Sequence, residues 1–452
     1  MTPNWIQNAF FYHIYPLGLL GAPHGNDFTQ PVTHRLDGME PWLNHIQSLG
    51  ANAIYLGPVF QSSSHGYDTV DYMQVDRRLG ENQDLVSFSD KVHARGMHLV
   101  LDAVFNHVGR DFWAFKDLLA NGENSLYRDW FQNIRFGVSS PHGDPFNYEG
   151  WHGHTSLVKL NLSHPAVCEH LFSAVQRWAA EFRIDGLRLD AADCIDLGFL
   201  RDLRQFTDGL SEEFWLMGEV VHGDYRKWVN PETLHSVTNY ECYKGLYSSL
   251  QEGNYFEIDY ALNRQFGNEG IYRELHLYNF VDNHDVDRVA SKLGSSALLY
   301  PLYLLLFTMP GVPSVYYGSE WGLQGEKGQW SDAALRPTLA LNQIVKEPPE
   351  RDLAKVIAEL AGLRDKYKAL RTGIYQSLMV DHRQMAFLRE DQDERLVVLL
   401  NSASEGVEFE MDFPWGEGLY IDLLDPRFQN RVDGGKMVVS IPPQWGRILK
   451  QE

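Results

Sequence analysis

Short apolar runs alternate with longer amphipathic segments through most of the chain. The runs have the length of strands, and apolar residues in the segments between them recur with the period of a helix. The runs are apolar enough to be buried on both faces, as the strands of a parallel sheet are. The pattern therefore predicts strands and helices in alternation, which is typical of α/β proteins.

We interpret this series as eight strand-and-helix units, which indicate a (β/α)8 barrel, the TIM barrel. The predicted strands are Phe11–Leu17, Ala53–Phe60, His98–Asn106, Gly186–Ala191, Phe214–Val220, a segment near Ser236–Tyr240, Leu275–Asp282 and Pro313–Tyr317. The predicted helices are Met39–Leu49, Asp84–Arg95, Pro165–Phe182, Gly198–Leu210, Phe256–Phe266, Ser296–Phe307 and Arg351–Tyr367. We assign residues 1–107 and 162–372 to this barrel.

Two parts of the chain depart from the alternation. Residues 108–161, after the third strand, lack a strong period and are rich in Gly, Asn, Asp, His and aromatic residues. Because an insertion of that length is too long for a plain loop, we expect a small subdomain over the barrel mouth. Residues 373–452 contain short alternating runs, which predict a C-terminal antiparallel β domain. Its predicted strands are Met385–Leu388, Arg395–Leu400, Val407–Phe413 and Lys436–Ile441.

The chain is strongly acidic, with 60 Asp and Glu against 39 Lys and Arg and a formal net charge of -21. That charge repels phosphate backbones and anionic lipid, so we expect neither nucleic acid nor a membrane as a partner. A neutral ligand such as a sugar remains compatible with it. Most of the 12 Trp, 22 Tyr and 24 Phe are expected in the core, although an aromatic face can also stack on a sugar ring.

The three cysteines, Cys168, Cys194 and Cys242, are too few for a disulfide framework and suit a reducing compartment. Met1–Gln7 carries no Lys or Arg. The most apolar run, Ala297–Thr308, is shorter than the ~20 residues that a membrane helix needs. We therefore predict a cytoplasmic protein.

Acidic side chains recur where the predicted strands end. Asp190 ends the fourth strand, Glu219 the fifth, and Asp285 follows the seventh. In a barrel of this kind, the carboxyl ends of the strands meet at one rim, where functional residues lie. Glycoside hydrolysis with retention needs two carboxyl groups ~5–5.5 Å apart, one as nucleophile and one as proton donor. Adjacent strand ends can supply that spacing.

Four segments around these acids resemble, in order, the signature regions of the α-amylase family, glycoside hydrolase family 13. They are Asp102–His107, Gly186–Asp193, Gly218–His222 and Phe280–Asp285. The resemblance extends over the whole chain. It implies a barrel enzyme with an inserted subdomain and a C-terminal β domain that hydrolyses α-glucosidic bonds with retention.

The resemblance also implies roles for individual residues. Asp190 would be the nucleophile that forms a covalent glycosyl–enzyme, Glu219 the general acid and then the base, and Asp285 the group that holds the distorted sugar by its hydroxyls. Arg188 lies on the same strand face as Asp190, so its positive charge can keep the nucleophile ionised. Two neighbouring carboxylates would raise the pKa of Glu219 and keep it protonated.

Further residues are candidates for binding the substrate. His107 and His284 would bond the hydroxyls of the sugar being cleaved. In the segment His65–Thr69, Tyr67 would stack on that sugar and Asp68 would orient the arginine that the family shares. For Asp102, deep in its strand, we expect a structural role, holding His107 or Arg188 by hydrogen bonds.

Asp332 and Arg336 match a family pair that contacts sugar further from the cleavage point, and a plain ion pair is the alternative.

Finer details resemble the branch of cyclomaltodextrinases, neopullulanases and maltogenic amylases. They are found in Ser125–Phe131, Leu157–Asn161 and Glu219–His222, where His222 occupies that branch's position and is a further substrate-binding candidate. These enzymes act on short oligosaccharides and cyclodextrins. They usually carry an additional N-terminal β domain that helps form a dimer, whereas here the first strand begins at Phe11. Oligomeric state and cyclodextrin preference therefore stay open.

No cofactor is expected. The loop Gly18–Asp37 lacks the run of oxygen ligands typical of a calcium loop, although Asn106 could bind calcium together with the inserted subdomain. The leading hypothesis is a retaining hydrolase of malto-oligosaccharides, cyclodextrins or related α-glucans. A transglycosylase or glucosyl isomerase of the same family is one alternative, and a non-catalytic glycan-binding barrel is another. The preference for α-1,4 or α-1,6 bonds and for chain length stays open.

Overall fold

A computed structural model describes residues 2–329, 331–413 and 416–452. Eight parallel strands form one sheet whose order follows the chain, with the eighth strand between the first and the seventh. They are Phe11–Ile14, Ala53–Leu56, His98–Ala103, Gly186–Leu189, Trp215–Gly218, Ser236–Val237, Tyr278–Asn279 and Val312–Tyr316. A parallel bridge between Thr238 and Tyr278 joins the sixth and seventh strands and closes the barrel.

Helices surround the barrel strands. The longer ones are Glu40–Ser48, Asn82–His93, Pro165–Glu181, Leu197–Leu210, Tyr240–Glu252, Phe256–Phe266, Leu299–Thr308 and Leu353–Lys366, and shorter ones lie at Pro16–Leu19, Val289–Lys292, Leu341–Ile344 and Lys368–Thr372. The fourth-strand helix shows why such a helix begins where it does. The Asp196 side chain accepts hydrogen bonds from the amides of Gly198 and Phe199, which otherwise lack a partner in the first turn.

Several strands are shorter than predicted. The first ends at Ile14 because Pro16 begins a short helix, and the second ends at Leu56, ahead of Pro58. The sixth ends at Val237, and the helix Tyr240–Glu252 that follows was not predicted from the sequence. Its start is set by Asn239, whose side chain accepts a hydrogen bond from the amide of Cys242.

The inserted segment forms a small folded unit beside the barrel mouth. It contains the helix Trp113–Asn121 and two small antiparallel sheets. One sheet is built from His107–Gly109, Gly150–Trp151 and His154–Lys159, and the other from Arg135–Phe136 and Phe146–Asn147. Phe115 and Phe146 are fully buried in it, so part of the segment's aromatic content is its own core.

The C-terminal part is an eight-stranded antiparallel sheet, of which the sequence predicted four strands. In sheet order the strands are Ile374–Val380, Gln384–Glu390, Arg395–Asn401, Trp445–Gln451, Gly418–Asp422, Gln429–Asp433, Lys436–Ile441 and Val407–Asp412. The predicted fold class is confirmed, while the exact domain limits stay a prediction. Among the described residues, no helix has both the length and the apolar character needed to cross a membrane.

Candidate active site

A cleft of about 870 Å³ opens at the carboxyl ends of the barrel strands, beside the inserted segment. Seven of the predicted site residues line it: Tyr67, His107, Asp190, Glu219, Asp285, Asp332 and Arg336. It is also lined by residues that were not predicted, among them Tyr15, His24, His65, Trp151, His152, His154, Tyr240 and Lys327. The cleft therefore combines barrel strand ends with the inserted segment, as a site for a ligand larger than one sugar ring would.

Two catalytic candidates leave the sheet side by side. Asp190 follows the fourth strand and Glu219 the fifth, and the Glu219 amide donates to the carbonyl of Leu189, 2.9 Å away. Directly after Asp190, Ala191 adopts a left-handed conformation with φ of 46°. This costs an alanine roughly 1 kcal/mol or more, and it points the Ala191 amide at Glu219 Oε2, 3.1 Å away. The strained turn thus ties the two acids together.

Arg188 lies at the centre of the acidic cluster with 3% of its surface exposed. Its Nη1 is 2.9 Å from Asp190 Oδ1 and 2.9 Å from Asp102 Oδ1, and its Nη2 is 2.8 Å from Glu219 Oε2. One guanidinium therefore bridges three carboxylates. Because two of its nitrogens contact Asp190 and Glu219, those carboxyl groups are held within a few ångströms of each other.

Asp102 is the buried anchor of this cluster. It lies opposite Arg188 on the neighbouring third strand, and Oδ2 accepts hydrogen bonds from the hydroxyls of Tyr55 at 2.6 Å and Tyr67 at 2.9 Å. Of the two structural roles expected for Asp102, the structure shows contact with Arg188. His107 instead lies against Asn106, with 3.1 Å between Asn106 Nδ2 and His107 Nδ1.

The environment raises the pKa of both Asp190 and Glu219. Burial is the main cause for each, and Arg188 opposes it by favouring the charged forms. Asp285 adds a further negative charge that raises both values. Two carboxyl groups that share one guanidinium in a buried site repel each other when both are ionised, so the pair retains one proton to higher pH than either would in water.

Asp285 differs from the other two acids. Burial alone would raise its pKa, but His284 and Arg336 outweigh burial and hold the pKa well below the usual value. His284 Nε2 is 2.8 Å from Oδ2, and Arg336 Nη2 is 3.0 Å from Oδ1. Arg336 also bonds Asp332, with 3.2 Å between Nη2 and Oδ2, so Asp332 and Arg336 form an ion pair within the cleft wall. Asp285 is therefore ionised at neutral pH.

Tyr67 and His107 line the cleft beside these acids, and His284 packs against Tyr67. The rings of Tyr67 and His284 are stacked, with centroids 5.4 Å apart. Burial lowers the pKa of His107 to about 3, so it is neutral, and its Nε2 lies 3.9 Å from Asp190 Oδ2. A neutral imidazole at that position can form a hydrogen bond with a sugar hydroxyl. It does so without adding a second positive charge, besides that of Arg188, next to Asp190.

Two predicted placements differ in the structure. Asp68 accepts a hydrogen bond from the Ser64 hydroxyl at 2.6 Å and is not among the residues that line the cleft. The carboxylate of the neighbouring strand that contacts Arg188 is that of Asp102. His222 is exposed and is not among the residues that line the cleft. The Gly223 that follows it, with φ of 113°, turns this loop.

Tyr240 is a site residue that the sequence analysis did not identify. Its hydroxyl lies 3.5 Å from Glu219 Oε1 and accepts a hydrogen bond from Asn283 Nδ2 at 3.2 Å. The side-chain oxygen of the same Asn283 accepts a hydrogen bond from the Asp285 amide at 2.8 Å, so Asn283 connects Asp285 with Glu219 through Tyr240. Tyr240 follows the sixth barrel strand, and the rule that places function at strand ends could have found it. Trp151 and His152 carry no such signal because they belong to the inserted segment.

Asn106 offers one oxygen toward the calcium site considered for it. Asn106 Oδ1 is buried and has no hydrogen-bond partner, whereas Ca²⁺ takes roughly six to eight oxygens. Within residues 2–329, 331–413 and 416–452, no group of three or more His, Cys, Asp or Glu is arranged to hold a metal ion. The absence of an obligatory metal stays a prediction.

Comparison with known proteins gives concordant matches. The model of the α-amylase catalytic domain matches residues 27–356. A cyclomaltodextrinase of a Bacillus species is 31% identical over an alignment of 423 positions, which covers 89% of this chain and 74% of that protein. Neopullulanase 2 of Thermoactinomyces vulgaris is 31% identical over an alignment of 477 positions, which covers 99% of this chain and 78% of that protein.

Solved structures agree over the full length of the chain. A structure described as a cyclomaltodextrinase superposes with a TM-score of 0.88 at 28% identity and covers 100% of this chain and 79% of that one. The ligand-free cyclic α-maltosyl-(1→6)-maltose hydrolase from Arthrobacter globiformis superposes with a TM-score of 0.84 at 28% identity, covering 100% of both chains.

Proposed function

The chain belongs to the α-amylase family of glycoside hydrolases, and from that membership we propose that it is a retaining α-glucoside hydrolase of malto-oligosaccharides, cyclodextrins and related α-glucans. One observation carries the proposal: Asp190 and Glu219, on adjacent strand ends, contact two nitrogens of the same buried guanidinium. Two carboxyl groups this close suit a nucleophile and an acid that work without an intervening water, which is the retaining arrangement.

The reaction proceeds in two steps. Asp190 attacks the anomeric carbon while Glu219 gives its proton to the oxygen of the leaving sugar, so the glycosidic bond breaks as the bond to Asp190 forms. Glu219, now ionised, takes a proton from water, and the resulting hydroxide-like oxygen attacks the anomeric carbon from the face that the leaving sugar occupied, opposite Asp190, so the bond to Asp190 breaks and the configuration is retained. The reaction requires the proton that the two buried acids share to reside on Glu219, beside the leaving oxygen, and Asp190 to be ionised, which the contact with Arg188 favours.

The acids also define the two ends of the cleft. The proton donor must face the leaving oxygen, so the leaving group lies on the side of Glu219, towards Asp193 and His152. The sugar that bonds to Asp190 lies on the side of Asp285, within reach of Arg336. There the ionised Asp285 would bind sugar hydroxyls more tightly as the ring gains positive charge in the transition state.

Transfer to a sugar acceptor is a second candidate activity. Asp193 and His154 are exposed polar residues on the leaving-group side, where an acceptor would replace water. A transferase would give products longer than the substrate at high maltose concentration, whereas a hydrolase gives glucose and shorter chains.

A cytoplasmic location also belongs to the proposal, supported by three cysteines that form no disulfide.

Two substitutions test the mechanism. Asp190→Ala and Glu219→Gln are each expected to lower the turnover of maltotriose by several orders of magnitude. Added azide should replace the missing carboxylate in Asp190→Ala and restore part of the bond cleavage. The product should be a glycosyl azide of inverted configuration. Full activity in either variant, or release of inverted sugar by the wild type in proton NMR, would refute the proposal. Product profiles from maltotriose, pullulan, cyclodextrin and starch then define the bond and chain-length preference.

A further inference from the structure

A second cavity of about 510 Å³ lies beside the cleft, within the inserted segment. We call it the side pocket, and its principal walls are Tyr148, Glu149, Trp151, His152, Lys159 and Cys194. Its volume is within the ~300–1,000 Å³ typical of sites for small molecules. Apart from His152, which faces the leaving-group side of the cleft, none of these residues has a role in the reaction described above, so the side pocket needs its own explanation.

The side pocket and the cleft share a wall. Trp151 and His152 line both cavities, and Cys194 Sγ lies 3.5 Å from His152 Nε2. The Trp151 ring centroid is 5.5 Å from that of His107, which itself faces Asp190. Cys194 is next to Asp193 on the leaving-group side of the cleft. The side pocket therefore adjoins the part of the cleft that would hold the leaving sugar, to which Glu219 gives its proton.

The chemistry of the side pocket suits a sugar. Glu149 Oε1 and Lys159 Nζ are 2.8 Å apart, and Glu149 Oε2 also accepts a hydrogen bond from Asn133. The two side chains are 36% and 29% exposed, so each keeps surface that a ligand can contact. Hydrogen bonding from Lys159 is the main cause that lowers the pKa of Glu149, so the pair is charged at neutral pH. A carboxylate beside an ammonium accepts from one hydroxyl and donates to its neighbour, as vicinal sugar hydroxyls require. Trp151 adds an aromatic face.

We propose that the side pocket binds an α-glucosyl branch of the leaving group, so that the enzyme favours branched α-glucans over linear ones of equal size. The cleft itself continues past His154 and Leu157, which do not line the side pocket, so a linear leaving group stays in the cleft. Only a second chain on the leaving sugar would cross Trp151. This inference rests on the proposed cleavage between Asp190 and Glu219.

The test compares two tetrasaccharides, linear maltotetraose and an isomer whose leaving group carries an α-1,6-glucosyl branch. The double substitution Glu149→Gln with Lys159→Met removes both charges without leaving one unpaired. We expect the branched-to-linear ratio of kcat/KM to fall about tenfold, since charged hydrogen bonds to the branch are lost. The matched control is Glu410→Gln with Lys436→Met, which removes a bonded pair from the C-terminal sheet and should leave the ratio unchanged.

An unchanged ratio in the side-pocket variant, or equal losses on both substrates, would overturn the inference. If the wild-type enzyme released no sugar from either substrate, the proposed function would fail instead, so the two failures are distinguishable. A second measurement does not depend on the double variant folding. A crystal structure of Asp190→Asn with the branched tetrasaccharide should show the branch between Trp151 and Lys159, and a branch bound elsewhere would exclude this role.

Discussion

Replacing Asp102 by Asn is expected to move the alkaline limb of the pH–activity profile to lower pH. That limb reports loss of the proton from the Asp190–Glu219 pair. Asp102 is buried and shares Arg188 Nη1 with Asp190, so its negative charge disfavours ionisation of the pair. Without that charge the pKa of the Asp190–Glu219 pair falls. The positive charge of Arg188 then stabilises the ionised pair without competition from Asp102. The sign of the shift is therefore fixed by the geometry.

The magnitude follows from the distance between the charges. Asp102 and Asp190 each have an oxygen 2.9 Å from the same nitrogen. Two unit charges about 5–6 Å apart interact by roughly 3 kcal/mol at an effective dielectric constant near 20, and by half of that at twice the constant. Since 1.36 kcal/mol corresponds to a tenfold change in the equilibrium, we expect the limb to move by about 1 to 2 pH units.

The assay is kcat/KM for a chromogenic maltoside between about pH 4 and 10, with thermal unfolding of each variant measured alongside. Asp282→Asn is the matched control. Asp282 is equally buried and lies shortly after the seventh strand, but it accepts hydrogen bonds from Ser319 and the Val289 amide and does not contact Arg188. A limb that stays in place or moves to higher pH in Asp102→Asn would refute the electrostatic reasoning. So would an equal shift in Asp282→Asn, because the effect would then be general destabilisation.

Three further predictions follow from other contacts. Arg336→Met removes a 3.0 Å ion pair from Asp285, so kcat/KM for a chromogenic maltoside should fall about 10- to 100-fold; a value within about twofold of the wild type would contradict it. Exhaustive treatment with EDTA should change neither kcat/KM nor the melting temperature, whereas a loss restored by added Ca²⁺ would reveal a metal site. Trp178→Ala empties a fully buried position stacked on Phe60, so urea unfolding should show a loss of about 3–5 kcal/mol, and a loss under 1 kcal/mol would contradict the packing described.

Much of the architecture could be predicted because it depends on local patterns. Apolar runs mark strands whatever the rest of the chain does, so the barrel order and the ends of the fourth and fifth strands followed from the sequence. Asp190 and Glu219 lie at those ends and were found for that reason. Errors arose where one residue overrides the pattern, as when Pro16 begins a helix within a predicted strand or Asn239 begins one after Val237.

Distances between segments remote in sequence could not be predicted in the same way. The alternation of side chains placed Arg188 beside Asp190, and its contact with Asp102 was one of two alternatives that the sequence left open. The register between three strands decided between them and brought Glu219 to the same guanidinium. Asp68 illustrates the opposite case: its sequence neighbourhood suggested a role with an arginine, and the loop's path directs it to Ser64.

The linear sequence thus determined the strand order and the identity of the three acids. Burial imposes an apolar run on each strand, and the three acids stand where those runs end. The protonation of those acids and the shape of the cleft arise only when distant segments pack together. Burial and charge at Asp190 depend on neighbours from other strands, and the side pocket depends on how the inserted segment lies against the turn at Cys194. That segment has no strong hydrophobic period and packs partly on its own aromatic core, around Phe115 and Phe146, so its position could be learned only from the folded molecule.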